Sequence, residues 1–168
     1  MKRASAIFGS AIFLVVAPGT VAGYVPWTIC HWRFAPPLLG FFPFRVIGAL
    51  TIAAGAPTLL DSFARFANQG LGTPAPFAPP HRLVVAGPYR YVRNPMYVGF
   101  FVGWLGLWGI FGRANLGAIM VAFVAVVGIA FFVRFYEEPT LQKMFGADYE
   151  EYCKNVPRWI PRIRAWHR

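Results

Sequence analysis

Long uncharged stretches alternate with short basic ones along this chain, and the alternation sets the elements to expect. Residues 4–25 carry no charge, and at a helical rise of about 1.5 Å per residue they can cross a hydrocarbon core of roughly 30 Å. Pro18 predicts a kink in this first span. A second span covers about 38–66, with Arg45 near one end and Asp61 and Arg65 near the other. The i, i+4 spacing of Asp61 and Arg65 reads as an ion pair on one helix face rather than a catalytic carboxylate. The third span, 96–111, and the fourth, 114–133, are uncharged and joined by little more than Gly112 and Arg113, which predicts a tight antiparallel hairpin between them. Gly99 and Gly103 form a G-x-x-x-G pair that Gly106 and Gly109 extend, a surface on which backbones approach closely in lipid. The pattern predicts an all-α integral membrane protein with about four transmembrane helices. It forms a single domain over 1–168, with a C-terminal interfacial segment over 137–168.

Composition and charge sharpen this picture. Hydrophobic residues make up 57% of the chain and charged ones only 13%, the balance of a membrane protein rather than a water-soluble core. Lys2 and Arg3 followed by Thr20-Val21-Ala22 also fit a secretory leader, but the uncharged run is long for a leader's apolar region and more spans follow. Four spans put both termini on one side, together with Lys2, Arg3, Arg65, Arg82, Arg90, Arg93, Arg134, Lys143, Lys154, Arg158, Arg162, Arg164 and Arg168. Only Arg33, Arg45 and Arg113 fall opposite, so the positive-inside rule makes both termini cytoplasmic. The net charge of +10 is then a topological signal and an attraction to anionic membrane lipids, with no basic module for nucleic acid. Cys30 falls in the outer loop and Cys153 in the inner tail, on opposite faces where they cannot pair. His31, His81 and His167, with no cysteine or carboxylate at ligand spacing, give no metal site. No internal repeat is present, and oligomeric state is not set by the sequence.

Candidate chemistry gathers at the cytosolic ends of spans three and four. The loop before span three opens with a Gly/Pro-rich piece, 70–80, and continues as His81-Arg82-Leu83-Val84-Val85-Ala86-Gly87-Pro88-Tyr89, which predicts an extended, strand-like wrap rather than a helix. Asn94-Pro95 then drives Asn94 out of helical geometry and puts Pro95 at the first helical position, so the third span starts abruptly with its positive-dipole end bare. The alternative is an ordinary basic loop with Tyr91 and Tyr97 as interfacial anchors. At the end of span four stands Arg134-Phe135-Tyr136-Glu137-Glu138-Pro139, and adjacent carboxylates beside hydrocarbon are functional candidates. Their structural reading has Glu138 at a helix start opened by Pro139 and Glu137 paired with a loop arginine. Two short helices, 141–145 and 148–156, follow on either side of Gly146, the second opened by an Asp148–Glu151 capping box. Phe145, Tyr149, Tyr152, Trp159 and Trp166 among cations predict a tail lying in the interface as a lid.

Two runs of residues carry a family resemblance. The first is His81-Arg82-Leu83-Val84-x-x-Gly87-Pro88-Tyr89-x-x-x-Arg93-Asn94-Pro95-Met96-Tyr97-x-Gly99. The second is Glu137-Glu138-x-x-Leu141-x-x-x-Phe145-Gly146-x-x-Tyr149-x-x-Tyr152-x-x-x-Val156-Pro157-Arg158-x-Ile160-Pro161. Together they resemble the isoprenylcysteine carboxyl methyltransferases and the related phospholipid N-methyltransferases over about the C-terminal half. The resemblance implies a membrane-embedded methyltransferase that uses S-adenosyl-L-methionine and acts on a lipid or lipidated small-molecule or peptide acceptor. It implies a cofactor pocket at the cytosolic helix ends rather than in a Rossmann domain, and the chain has no strand followed by G-x-G-x-x-G. Carried over by position, His81, Arg82, Leu83, Val84, Gly87, Tyr89, Asn94, Pro95, Met96 and Tyr97 surround the cofactor and Glu137 holds a polar part of it. Arg134 approximates the arginine that the family places near the substrate, and Glu138 or Glu137 is the base should the acceptor be an amine. The family commonly has histidine where Asn94 stands, and asparagine can hydrogen-bond but cannot act as a base near neutral pH. Three readings stay open: a carboxyl O-methyltransferase, a phospholipid N-methyltransferase, and a non-catalytic interaction protein of the same fold.

Overall fold

The computed structural model describes residues 3–73, 80–112 and 116–167, so Lys2, the 74–79 part of the loop, the Arg113 turn and Arg168 lie outside the described residues. Every regular element among the described residues is helical. Helix α1 (Arg3–Gly19) passes through a π-helical turn (Thr20–Tyr24) into α2 (Val25–Cys30), so the first span is longer than the sequence suggests. Helix α3 (Pro43–Arg65) ends in a second π-turn (Phe66–Gly70), and α4 (Pro95–Phe111) follows the long loop. Helix α5 (Leu116–Phe132) runs through a third π-turn (Val133–Glu137) straight into α6 (Glu138–Phe145), and α7 (Ala147–Asn155) lies beyond Gly146. The 81–89 segment is irregular, closing in a 3-10 turn over Gly87–Arg90, and pairs with no strand among the described residues.

Prolines explain two of the π-turns. The Val25 N–H reaches back five residues to the Thr20 carbonyl, and the Glu138 N–H reaches Val133 the same way. The next residue is Pro26 in one case and Pro139 in the other, which lacks an N–H and crowds the carbonyl four residues back. Widening the turn by one residue relieves that conflict, and such bulges concentrate at functional sites.

Three helical stretches, Arg3–Cys30, Pro43–Gly70 and Met120–Phe145, are long and apolar enough to cross a membrane, and α4 is apolar but shorter. Phe8, Val15, Leu50, Phe123, Val124 and Phe131 all face outward, where lipid rather than water is their solvent. The chain is an all-α integral membrane protein.

The glycine surface of α4, whose partner the sequence leaves open, packs against α3. A methyl group on Gly55 would stand 2.5 Å from the backbone of Gly99 and of Gly103, and one on Gly106 would stand 2.5 Å from the Gly48 carbonyl. Only bare backbones fit this seam, so α3 and α4 approach as closely as helices can. Helix α5 instead meets α4 at its tryptophans, where Ala122 joins Val21, Ala22 and Phe100 around buried Trp104 and Trp108. Both cysteines are free.

Local signals read from the chain hold where they are short in range. Asn94 is non-helical (φ −116°, ψ 56°) and Pro95 opens α4. Arg65 Nε donates to Asp61 Oδ2 at 2.8 Å as the ion pair predicts, and its guanidinium lies over Gly87, whose positive φ of 57° and lack of a side chain leave it room. Helix α7 starts at Ala147 behind Gly146, so Asp148 falls inside the first turn rather than at the cap position.

Candidate functional site: a polar cup joined to an apolar slot

Four separate pieces of chain converge where α4 begins. The Asn94-Pro95-Met96-Tyr97 start of α4 forms one wall, and the face Phe132, Tyr136, Glu137, Thr140 and Leu141 of the α5–α6 stretch forms the other. Phe66 from the end of α3, with Thr73, Pro80 and Tyr89 from the loop, closes the cup, which encloses about 70 Å³. A smaller pocket of about 40 Å³ beside it shares Phe66, Pro80, Tyr89, Arg93, Asn94, Glu137 and Leu141, and adds Leu83, Val84, Glu138, Tyr149 and Tyr152.

The twin glutamates have different surroundings. Glu137 faces the cup, where its Oε2 accepts a hydrogen bond from the Tyr97 hydroxyl at 3.1 Å. Glu138 is held by two arginines: Arg158 Nε and Nη2 donate to its two oxygens at 2.7 and 2.8 Å, and Arg93 Nη1 lies 3.0 Å from Oε1. Its side chain is only 11% exposed, so those cations supply what water would otherwise. The expected partnership is thus reversed, because it is Glu138 rather than Glu137 that pairs with the loop arginine.

The loop wall is set by hydrogen bonds from the tail. Tyr152 donates its hydroxyl to the Tyr89 carbonyl at 2.7 Å, and Asn94 Nδ2 donates to the Arg158 carbonyl at 3.0 Å. The Arg93 N–H donates to the Pro157 carbonyl at 2.8 Å. Burial pushes the Tyr89 phenol well above its ordinary value, with the Glu137 carboxylate adding to the shift, and burial likewise raises Tyr152. Both therefore remain O–H groups at any physiological pH.

Two polar atoms in the cup are left over. Thr73 Oγ1 and Arg93 Nε are buried without a hydrogen-bond partner, a state that costs about 1–3 kcal/mol each unless a ligand satisfies it. The cup thus presents a hydroxyl, a guanidinium edge and a carboxylate beside the aromatic faces of Phe66, Tyr89 and Tyr97. That set suits a ligand with both hydrogen-bonding and cationic parts.

Beside the cup lies an apolar slot of about 490 Å³, walled by α1, α3, α4 and α5. Met96, Tyr97 and Phe132 line both spaces, so cup and slot share a wall. Phe13, Val16, Leu59, Phe63, Phe100 and Ile129 make the slot hydrocarbon-like.

Of the residues singled out in the sequence, Tyr89, Asn94, Pro95, Met96, Tyr97 and Glu137 line the cup, and Leu83, Val84 and Glu138 line its neighbour. His81 and Arg82 are exposed on the loop, Gly87 serves the turn under Arg65, and Arg134 is exposed, away from both cavities. Phe66, Thr73, Pro80, Arg93, Phe132, Tyr136, Thr140 and Leu141 complete the wall without having been expected as site residues. Tyr136 and Thr140 were legible, since with Glu137 and Leu141 they recur at helical spacing on one face.

The chain is similar to protein-S-isoprenylcysteine O-methyltransferase of Schizosaccharomyces pombe, at 43% identity over 84 residues, 49% of this chain and 34% of the relative. It is similar to protein-S-isoprenylcysteine O-methyltransferase B of Arabidopsis thaliana at 36% over 86 residues, 49% of this chain and 41% of the relative. It is also similar to the Homo sapiens protein-S-isoprenylcysteine O-methyltransferase at 35% over 86 residues, 51% of this chain and 29% of the relative. The chain therefore spans well under half the length of these curated relatives. No solved structure matches it. The phospholipid methyltransferase family model matches residues 44–148, a region that runs from the start of α3 into α7 and holds both walls of the cup, so the chain belongs to the phospholipid methyltransferase family.

Proposed function

We propose that this chain is a membrane-embedded, S-adenosyl-L-methionine-dependent methyltransferase acting on a lipophilic acceptor, most like a protein-S-isoprenylcysteine carboxyl O-methyltransferase. It works as a single domain with four spans and cytoplasmic termini. The observation that carries this reading is that the polar cup and the apolar slot lie side by side and share Met96, Tyr97 and Phe132 as lining. A hydrocarbon chain in the slot brings its polar end to the cup, while a water-soluble cofactor reaches the cup from the cytosol.

When bound, S-adenosyl-L-methionine supplies a sulfonium-activated methyl carbon for in-line displacement. Glu137, oriented by Tyr97, holds a polar or cationic part of the cofactor, and Thr73 Oγ1 supplies a donor that the cup leaves unused. Tyr89, Phe66 and Tyr97 provide its aromatic faces. Arg93, the arginine lining the cup, takes the acceptor-orienting role that the resemblance gave to Arg134. An acceptor carboxylate is already ionised, and a dry slot favours a step in which opposite charges cancel. Asn94, tied to the Arg158 carbonyl, positions the start of α4 and moves no proton.

A second reading, phospholipid N-methylation, is favoured by Glu137 in the cup: an amine acceptor must lose a proton, and this carboxylate is not engaged by an arginine as Glu138 is. Membranes incubated with methyl-labelled cofactor separate the two, since label released by mild base marks an ester and label retained in phospholipid marks an amine. Binding of the cofactor with no turnover on any lipid acceptor would instead mark a non-catalytic protein. The pocket itself is tested by calorimetry in detergent. Glu137→Gln and Tyr89→Ala should each weaken cofactor binding by about tenfold or more, and unchanged affinity in both would remove the proposed site.

A further inference from the structure

After α7 the chain does not leave the molecule but turns back as an extended strap along the loop that carries Arg93 and Asn94. Its backbone bonds to that loop at regular intervals: the Arg93 N–H to the Pro157 carbonyl at 2.8 Å, the Arg162 N–H to the Tyr91 carbonyl at 3.0 Å, and the Trp166 N–H to the Arg90 carbonyl at 3.0 Å. The Asn94 amide and the Glu138 carboxylate are both tied to Arg158 of the same strap. Whatever holds the strap in place therefore holds two walls of the cup.

The strap's outer side is unusual. Ile163 is 97% exposed and Ile160 79% exposed, among the most open large apolar side chains of the described residues. Between and beside them stand Arg162 and exposed Arg164. Pro161, in the middle, lines one cavity together with Pro88, Tyr91 and Val92 of the loop and with Gly55, Val98, Gly99 and Val102 of α3 and α4. The shared cavity and the Arg162–Tyr91 backbone bond put residues 160–164 beside the loop that opens α4, where the spanning helices begin, with two isoleucines projecting and arginines next to them. Apolar side chains interleaved with arginine there suit a negatively charged bilayer surface: hydrocarbon takes the isoleucines and lipid phosphates take the guanidinium groups.

We propose that residues 160–164 form an anionic-lipid-binding surface, and that its occupation clamps the strap and so completes the cup. The surface is distinct from the slot that receives the acceptor, although the coupling to cofactor affinity rests on the function proposed above. Strap docking and cofactor binding then favour each other, because both require the same arrangement of Arg93, Asn94 and Glu138.

The test uses the full chain in lipid nanodiscs, one set purely zwitterionic and the other containing one third anionic phosphatidylglycerol. Amide hydrogen exchange of the strap and of residues 90–94 is the direct readout, and exchange should be slower in anionic discs. Cofactor affinity by calorimetry should be about tenfold tighter there, the scale expected for a pair of arginines at a charged surface. Ile160→Ser/Ile163→Ser and Arg164→Gln, all at exposed positions, should bring both readouts in anionic discs down to the zwitterionic level. Equal strap protection in the two lipids, or variants that keep the lipid dependence, overturns the proposal. Lipid-dependent strap protection with no cofactor binding in either disc would leave the surface standing and reject the methyltransferase reading instead.

Discussion

Glu137 and Glu138 are neighbours in the chain and opposites in environment. Glu138 is bracketed by Arg93 and Arg158, which makes it the anchor of the tail rather than a reacting group. Glu138→Gln should therefore leave two partly buried arginines facing a neutral amide, with a loss of about 3 kcal/mol in stability, the scale for breaking a mostly buried pair. Thermal unfolding in detergent measures it, and a variant as stable as the parent would show the pair to be ornamental. The buried phenols give a second residue-scale prediction. Tyr89 and Tyr152 keep their protons in the fold above the ordinary value of 10.0, whereas unfolded phenols ionise there. Below that pH their contribution is complete. Above it the unfolded chain binds fewer protons than the native one, so stability falls as pH rises, by up to about 1.4 kcal/mol per pH unit for each phenol. Tyr89→Phe should flatten that alkaline slope in unfolding curves taken on either side of pH 10, and an unaltered slope would count against its burial.

Elements fold here by rules of two ranges, and only the shorter was legible in the chain. The start of α4 follows from Asn94-Pro95 alone, and the Asp61–Arg65 pair follows from spacing along one helix. The glycine surface of α4 was equally visible, but glycine spacing says that a backbone comes close without saying which one, and α3 rather than α5 proved to be its partner. Phe66 and Thr73 escaped notice because they enter the cup from the far end of α3, where no local signal marks them. Arg134, carried over by position from the resemblance, stands exposed on the π-turn over Val133–Glu137 and lines neither cavity. Two substitutions probe this scale. Gly55→Ala should destabilise the α3–α4 seam by about 1–3 kcal/mol, while Gly128→Ala on open α5, with nothing within 4 Å of the added methyl, should be neutral or slightly stabilising in the same unfolding assay. Pro139→Ala restores the missing N–H and should let the π-turn relax to α-helix, turning Glu137 away from the cup. Cofactor affinity then falls with helix content by circular dichroism unchanged, and full retention of affinity would separate the π-turn from the site.

At the scale of the whole molecule, the closely packed α3–α4 pair and the tail strap fix the polar end, and the remaining helices enclose hydrocarbon space. The 490 Å³ slot has walls on four helices and shares three lining residues with the cup. On the function proposed above, its two ligands come from different phases, one dissolved in water and one dissolved in the bilayer. Turnover should accordingly respond to how crowded the acceptor is within the membrane plane rather than to its amount per volume of sample. At a fixed quantity of acceptor, adding inert lipid should slow the reaction in proportion to the fall in acceptor mole fraction, whereas adding buffer at constant lipid composition should leave the rate per enzyme untouched.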